Sequence, residues 1–240
     1  MSESDAAGPR RGHLGSALLG GITGSAITVA LIFFAIPGLS SRIVREGLLS
    51  DPRILTDTVE ALHDQRYATI VADNRPAIET PFGSSWKGAQ KPEVTLVEFF
   101  DYACPYCKAS NPAVDRLLKE DKDLRVVYRE LPILGPDSVT AARLSLEASK
   151  LGRFAQFHDS LWAAGRPSPE TNAIAAKAAG IAAVPREDPE IESELSRNLK
   201  LAGELGATGT PLFVIGDKVM NGAVGYDTLK DAITKARTKG

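Results

Sequence analysis

The chain alternates between short β-branched or aromatic runs and longer segments of helical periodicity. Residues 94–100 predict a buried strand, and residues 124–131 predict a second one. Between them, Val114, Leu117 and Leu118 fall on one side of a helix. A strand, a helix and a second strand in this order predict parallel pairing with a right-handed crossover.

The segment 138–206 carries the capping and stop signals of successive helices. Four helices are predicted, beginning near Ser138, Phe154, Ser168 and Asp188, and the first three end near Gly152, Gly165 and Gly180. The fourth is predicted to bury a face made of Ile191, Leu195, Leu199 and Ala202. A hairpin over 211–222 and a last helix from Tyr226 to Lys239 complete an α/β order of elements.

Residues 42–80 are interpreted as a separate helical stalk. Proline after Asp51 is typical of a helix start, and Leu55, Val59 and Leu62 follow on one face. This face either packs on the parent domain or pairs with copies of itself as an oligomerisation segment. Residues 81–92 are rich in glycine, proline and serine and are interpreted as a linker.

The segment 14–39 is apolar and carries no charged side chain. About 20 apolar residues in a helix span a bilayer, so the segment is either a transmembrane anchor or a cleaved signal peptide. We favour the anchor because the apolar run exceeds the core of a usual signal peptide and no Ala-x-Ala site follows it. Residues 1–13 then form a cytoplasmic tail.

Composition and charge narrow the function classes. Of the 240 residues, 43% are hydrophobic and 24% are charged, as expected of a globular chain with a sizeable core. The net charge of −2 gives no indication of nucleic-acid binding. The chain has two cysteines, Cys104 and Cys107, and this spacing closes too short a loop for a structural disulfide. Two thiolates cannot complete a four-ligand zinc site, so no zinc site is predicted and no metal ligand is assigned.

The cysteines lie in the sequence Cys104-Pro105-Tyr106-Cys107, directly between the first strand and its helix. With Pro105 in the first helical turn, Cys104 lies at the helix N-terminus, where unpaired N–H groups and the helix dipole favour its thiolate. We expect Cys104 to be the attacking and leaving sulfur. Cys107, one turn further on, is expected to be buried and to resolve the mixed disulfide. Pro105 and Tyr106 affect how well the thiolate is stabilised.

Residues 98–108, Glu-Phe-Phe-Asp-Tyr-Ala-Cys-Pro-Tyr-Cys-Lys, resemble the active site of DsbA-type thiol–disulfide oxidoreductases with a thioredoxin fold. The stretches 131–136 and 209–216 also resemble that family, and the similarity covers about residues 83–240. The segment 42–80 resembles the stalk of membrane-anchored, suppressor-of-copper-sensitivity-like members. The resemblance implies a thioredoxin-like fold with an inserted helical domain over 138–206, preceded by a transmembrane helix and a helical stalk.

The resemblance also implies residue roles. Thr210-Pro211 is similar to the cis-proline loop, which packs on the cysteine pair and binds substrate. The resemblance implies that Pro105 and Tyr106 also bind substrate. Glu98 resembles the buried acid that exchanges a proton with Cys107, and its apolar neighbours in the strand favour burial.

Other polar residues near the cysteine pair receive a simpler interpretation. Asp101, Tyr102 and Lys108 flank the pair and are interpreted as solvated. His158 is interpreted as a packing or surface residue.

These features predict an enzyme that exchanges disulfides with exported polypeptides, most simply as an oxidase. Its redox-active disulfide would be Cys104–Cys107, with no other cofactor, and a membrane or soluble redox partner would renew it. Since cytosolic thiol pools keep such pairs reduced, the catalytic domain is expected in the periplasm or at the cell exterior.

Three alternatives remain open. If residues 42–80 form a homo-oligomer, isomerase or reductase activity is favoured. The two thiolates could instead bind Cu(I), a soft ion. The chain could also be a client-docking protein with a vestigial redox pair.

Overall fold

The computed structural model describes residues 39–239, and the chain divides into two compact units between Glu60 and Ala61. Its helices are α1 (Leu39–Ser50), α2 (Arg53–Glu79), α3 (Pro105–Glu120), α4 (Pro136–Lys150), α5 (Phe154–Ala164), α6 (Pro169–Ala179), α7 (Pro189–Glu204) and α8 (Tyr226–Lys239). Its strands are β1 (Trp86–Gly88), β2 (Val94–Phe100), β3 (Leu124–Glu130), β4 (Leu212–Ile215) and β5 (Lys218–Asn221).

The predicted tail 1–13, and all but the final residue of the predicted anchor 14–39, lie outside the described residues. Within residues 39–239, every helix is too short or too polar to cross a membrane.

The strands form one sheet in the order β1-β3-β2-β4-β5. β2 and β3 pair in parallel across the crossover helix α3, as predicted, and the other neighbours are antiparallel. Strand β1 lies within the predicted linker 81–92, so that interpretation is wrong there. Three residues are too few for a period-two pattern, and main-chain pairing with β3 holds this strand at the sheet edge.

The two faces of the sheet carry two hydrophobic clusters. Leu96 and Phe100 point to the cluster that contains α3, while Val97 and Phe99 point to the opposite cluster, because side chains alternate along a strand. The second cluster contains Val71 and Ile78 of α2, both fully buried. The compact unit that contains the sheet begins at Ala61, well before the predicted boundary of the thioredoxin-like domain at residue 83. Helical periodicity predicts one separate stalk over 42–80, because it cannot show that the C-terminal part of this segment packs on the sheet.

Helices α4 to α7 form the helical insertion, and their boundaries agree closely with the capping signals. The buried face of α7 differs from the prediction, since Leu199 is exposed and Glu194 and Asn198 are buried. These polar side chains are buried because Arg129 of β3 binds both of them.

Ser168→Ala is expected to lower the free energy of unfolding by about 1 kcal/mol. Ser168 caps α6: its hydroxyl accepts from the Thr171 N–H at 3.2 Å, and the Thr171 hydroxyl accepts from the Ser168 N–H at 2.9 Å. Urea unfolding measures the loss. Ser168→Gly is the control and should lose only a few tenths of a kcal/mol. An equal loss in both variants would contradict the capping role.

Candidate active site

Cys104 occupies the N-cap of α3, and Pro105 takes the first helical position. Its backbone is extended, with φ −81° and ψ 119°, and its N–H donates to the Asp101 carbonyl at 2.9 Å. The Cys104 thiol donates to the Thr210 carbonyl at 3.2 Å. The sulfur predicted to attack thus lies at a helix N-terminus, beside a residue 106 positions away in the chain.

Cys107 lies one helical turn further on and is fully buried. Both cysteines are free thiols. Burial, followed by the nearby charge of Glu98, raises the pKa of the Cys107 thiol far above its ordinary range. Pro105 and Tyr106, between the two cysteines, are exposed. Cys104 is itself buried, with 4% of its surface exposed, but the exposed Pro105 follows it directly, whereas Cys107 has no exposed surface.

Glu98 lies on β2, on the same face of the sheet as Leu96 and Phe100, and is buried. Burial first, and the negative charge of Asp115 second, raise its pKa to about 8, while Lys87 acts in the opposite direction. Its Oε1 atom has no hydrogen-bond partner in the described part of the chain. Such a carboxyl can take up or release a proton close to neutral pH.

Stability is expected to fall with rising pH because of Glu98. The folded state keeps its proton up to about pH 8, while the unfolded chain releases it near the ordinary pKa of 4.5. Between these values the folded state binds more protons, so rising pH lowers the free energy of unfolding, by up to about 1.4 kcal/mol per pH unit. Urea unfolding from pH 5 to pH 7.5 measures the slope.

Glu98→Gln is the matched control because it keeps the shape and removes the titration. The difference in unfolding free energy between wild type and Glu98→Gln isolates Glu98 from His158 and Glu130, two other buried groups with shifted pKa values. A difference that stays constant with pH would contradict the assignment.

The Thr210–Pro211 peptide bond is cis, and the loop that contains it leads directly into β4. Pro211 is buried, and its carbonyl accepts from the Gly222 N–H at 2.8 Å. Thr210 is partly exposed and presents its carbonyl to Cys104. The structure thus brings Thr210 and Pro211 together with the cysteine pair.

Asp101 and Tyr102 are buried, so their interpretation as solvated residues is wrong, whereas Lys108 is exposed. The Tyr102 hydroxyl lies 3.0 Å from the Ser145 hydroxyl and 3.1 Å from His158 Nδ1. Residues of the helical insertion therefore cover the turn between β2 and α3. The sequence of this turn gives no indication that helices pack over it.

His158 is buried, in agreement with its interpretation as a packing residue. The Trp162 indole N–H donates to its Nε2 atom at 3.2 Å, so Nδ1 carries the ring proton and donates to Tyr102. Burial lowers the His158 pKa well below its ordinary value, which keeps the ring neutral. Among residues 39–239, no group of three or more His, Cys, Asp or Glu side chains could hold a metal ion.

Solved structures that are similar to this chain match it over most of their own length, as two examples show. The ScsC linker-deletion variant of Proteus mirabilis is 29% identical, with a TM-score of 0.67, and the match covers 84% of this chain and 94% of that one. The thiol-disulfide exchange protein α-DsbA2 of Wolbachia pipientis is 25% identical, with a TM-score of 0.65 and coverages of 72% and 96%.

Curated relatives are matched over a smaller share of their length. The Na⁺/H⁺ antiporter NhaA 3 of Salinispora tropica is 38% identical over 79 residues, which is 32% of this chain and 12% of that protein. Disulfide bond formation protein D of Bacillus subtilis is 26% identical over 62% of this chain and 74% of its own length.

The family model of the DSBA-like thioredoxin domain matches residues 95–234, which is more than half of the sequence. This match includes the strand β2 except for its first residue, both cysteines and the cis-proline loop. The chain belongs to the family of DsbA-like thioredoxin domains.

Proposed function

We propose that this protein catalyses thiol–disulfide exchange with exported polypeptides, as a disulfide oxidase. The observation that carries the proposal is the placement of the Cys104 sulfur at the N-terminus of α3, 3.2 Å from the Thr210 carbonyl. A helix N-terminus favours the thiolate that attacks or leaves in disulfide exchange, and a buried partner cysteine can resolve the mixed disulfide. Cys107 supplies that partner.

The reaction begins with the pair oxidised. A client thiolate attacks the Cys104 sulfur, which forms the client–Cys104 bond and breaks the Cys104–Cys107 bond. The electron pair of the broken bond leaves on Cys107 as a thiolate. A second client thiolate then attacks the client sulfur of the mixed disulfide, which forms the client disulfide and releases Cys104 as a thiolate. The client loses two electrons and the pair gains them.

Glu98 donates a proton to the buried Cys107 sulfur and accepts it back. A thiolate on Cys107 is strongly disfavoured because the residue is fully buried and lies near the Glu98 carboxyl. With a pKa of about 8, Glu98 carries a proton at neutral pH and can give it to Cys107 when the disulfide opens. On reoxidation the proton returns to the carboxylate.

The oxidase direction requires an oxidising compartment and an electron acceptor. A cytosolic pair would be held reduced by the thiol pools, so we place the catalytic unit in the periplasm or at the cell exterior. The apolar segment 14–39 supports a single-pass anchor in the cytoplasmic membrane. A membrane or soluble redox partner then withdraws the two electrons from Cys104 and Cys107.

Cys104→Ser is expected to abolish the oxidation of a reduced, unfolded client protein. Attack on the pair requires the Cys104 sulfur, because Cys107 has no exposed surface. The assay measures disulfide formation in the client with oxidised glutathione as the acceptor, for wild type and Cys104→Ser. Ser110→Ala is the control, because Ser110 lies in α3 and bonds only the Tyr106 carbonyl there. Full activity of Cys104→Ser would overturn the proposed function.

Isomerase activity is the second candidate, and one observation favours it. Leu55, Val59 and Leu62 of α2 are each more than half exposed, and they lie at helical spacing on one face. Pairing of this face with a second copy would bring several redox pairs to one misfolded client. We expect Val59→Glu to reduce the oligomer mass in light scattering and the refolding rate of a scrambled client together. An unchanged mass would exclude this route.

A further inference from the structure

The Asp101 side chain connects two segments at the active site. It lies in the turn between β2 and α3 and is 1% exposed. Its carboxylate accepts hydrogen bonds from the Ala103, Ile133 and Leu134 N–H groups and from the Ser138 hydroxyl. None of these donors carries a charge, so the carboxylate is held by hydrogen bonding alone.

The two carboxylate oxygens bind different segments. Oδ1 accepts from the Ala103 N–H at 2.7 Å and from the Ser138 hydroxyl, and so holds the turn that leads into Cys104. Oδ2 accepts from the Ile133 and Leu134 N–H groups at 2.8 and 2.9 Å. The loop after β3 is therefore fixed to the active-site turn through one side chain.

This loop exposes apolar side chains although its backbone is tightly held. Ile133 is 46% exposed and Leu134 is 44% exposed, and Tyr106 between the two cysteines is 64% exposed. An unfolded polypeptide exposes the apolar side chains that would bind such a surface. The occupant that fits is the client chain itself, because the loop and the Cys104 turn share the same carboxylate.

Building on the proposed function, we propose that Asp101 is a positioning residue for clients. It fixes Ile133 and Leu134 to the turn that leads into Cys104, so that an apolar stretch of client chain binds there while its sulfur meets the Cys104 sulfur. A contact surface that is ordered before binding loses less conformational entropy when the client docks. Asp101 then acts on client binding and not on the sulfur chemistry.

Asp101→Ser separates the two halves of this arrangement. The serine hydroxyl can still accept from the Ala103 N–H, since Ser makes the same kind of turn as Asp. It has no second oxygen, so the Ile133 and Leu134 N–H groups lose their acceptor. The variant therefore releases the loop and keeps the turn. Ser138→Ala is the matched control, because it removes a bond to Oδ1 and leaves both loop bonds in place.

The experiment measures the rate at which the oxidised protein reacts with a reduced dicysteine peptide that carries apolar residues. The same rate is measured with dithiothreitol, which is too small to contact the loop while it attacks Cys104. We expect the half-saturating peptide concentration for Asp101→Ser to rise about tenfold relative to wild type. The dithiothreitol rate constant is expected to change far less, and Ser138→Ala is expected to follow wild type. Circular dichroism confirms that each variant is folded.

A double-mutant cycle then tests the link to the loop. The pair Ile133→Ser and Leu134→Ser should weaken peptide binding to the same extent, and adding Asp101→Ser should cause no further loss. The positioning role would be overturned if the losses of the separate variants multiply in the combined variant. It would also be overturned if the loss is as large with dithiothreitol as with the peptide. If wild type itself fails to oxidise the peptide, the proposed function fails instead, so the two outcomes are distinguishable.

Discussion

Cys107→Ser is expected to accumulate a stable mixed disulfide between Cys104 and a client that carries a disulfide. The Cys104 thiolate attacks the client disulfide, forms the Cys104–client bond and releases one client thiol. In wild type the Cys107 thiol then resolves this bond from within the same helix turn. Without it, release depends on thiols from solution, and we expect it to slow by a factor of about 10³ or more. Non-reducing gel electrophoresis and mass spectrometry measure the adduct.

Cys104→Ser is the matched control for this prediction, since it keeps the second cysteine. Cys107 is fully buried and its pKa is strongly raised, so it should form no adduct on the same timescale. Equal adduct in both variants would show that the two sulfurs are equivalent to a client. That result would contradict the division of roles between them.

Arg129→Met is expected to lower the free energy of unfolding by about 3–5 kcal/mol. The buried guanidinium donates to Glu194 at 2.7 Å, to Asn198 at 3.1 Å and to the Ile78 carbonyl at 3.0 Å. It also donates to the carbonyls of Ala77 and Thr80, at the C-terminal end of α2. Methionine fills a similar volume but removes this donor from all of these acceptors, and the buried Glu194 carboxylate is left with the half-exposed Arg197 at 2.7 Å. Urea unfolding measures the loss.

The double variant Arg129→Met with Glu194→Leu is the control. Replacing both partners of a buried ion pair costs less than removing one, because no charge remains unpaired. The double variant should therefore recover part of the stability that the single variant loses. If Arg129→Met lowers the free energy of unfolding by less than about 1 kcal/mol, the prediction is wrong and water replaces the guanidinium at these carbonyls.

Local sequence patterns predicted the parts of the fold that local interactions decide. The strands β2 and β3, the parallel crossover and the start of α6 at Ser168 were predicted from side-chain alternation and capping residues. The placement of Cys104 at a helix N-terminus was predicted for the same reason, since strand, cysteine and proline follow directly in the chain.

Features that depend on distant partners could not be predicted in this way. Glu194 on α7 is buried because Arg129 binds it across 65 positions, and Tyr102 is buried because His158 lies over it from 56 positions away. In a single sequence these side chains are indistinguishable from solvated ones. The proximity of Thr210 to Cys104 was implied by the family resemblance and not by any periodicity.

The burial of Val71 and Ile78 under the sheet determines where a recombinant fragment can begin. A boundary at residue 83, drawn from sequence motifs, would remove both side chains and expose the Val97 and Phe99 face to water. Such a fragment would expose a hydrophobic surface and would be prone to aggregate. A fragment intended for crystallisation or isotope labelling should therefore start no later than Ala61.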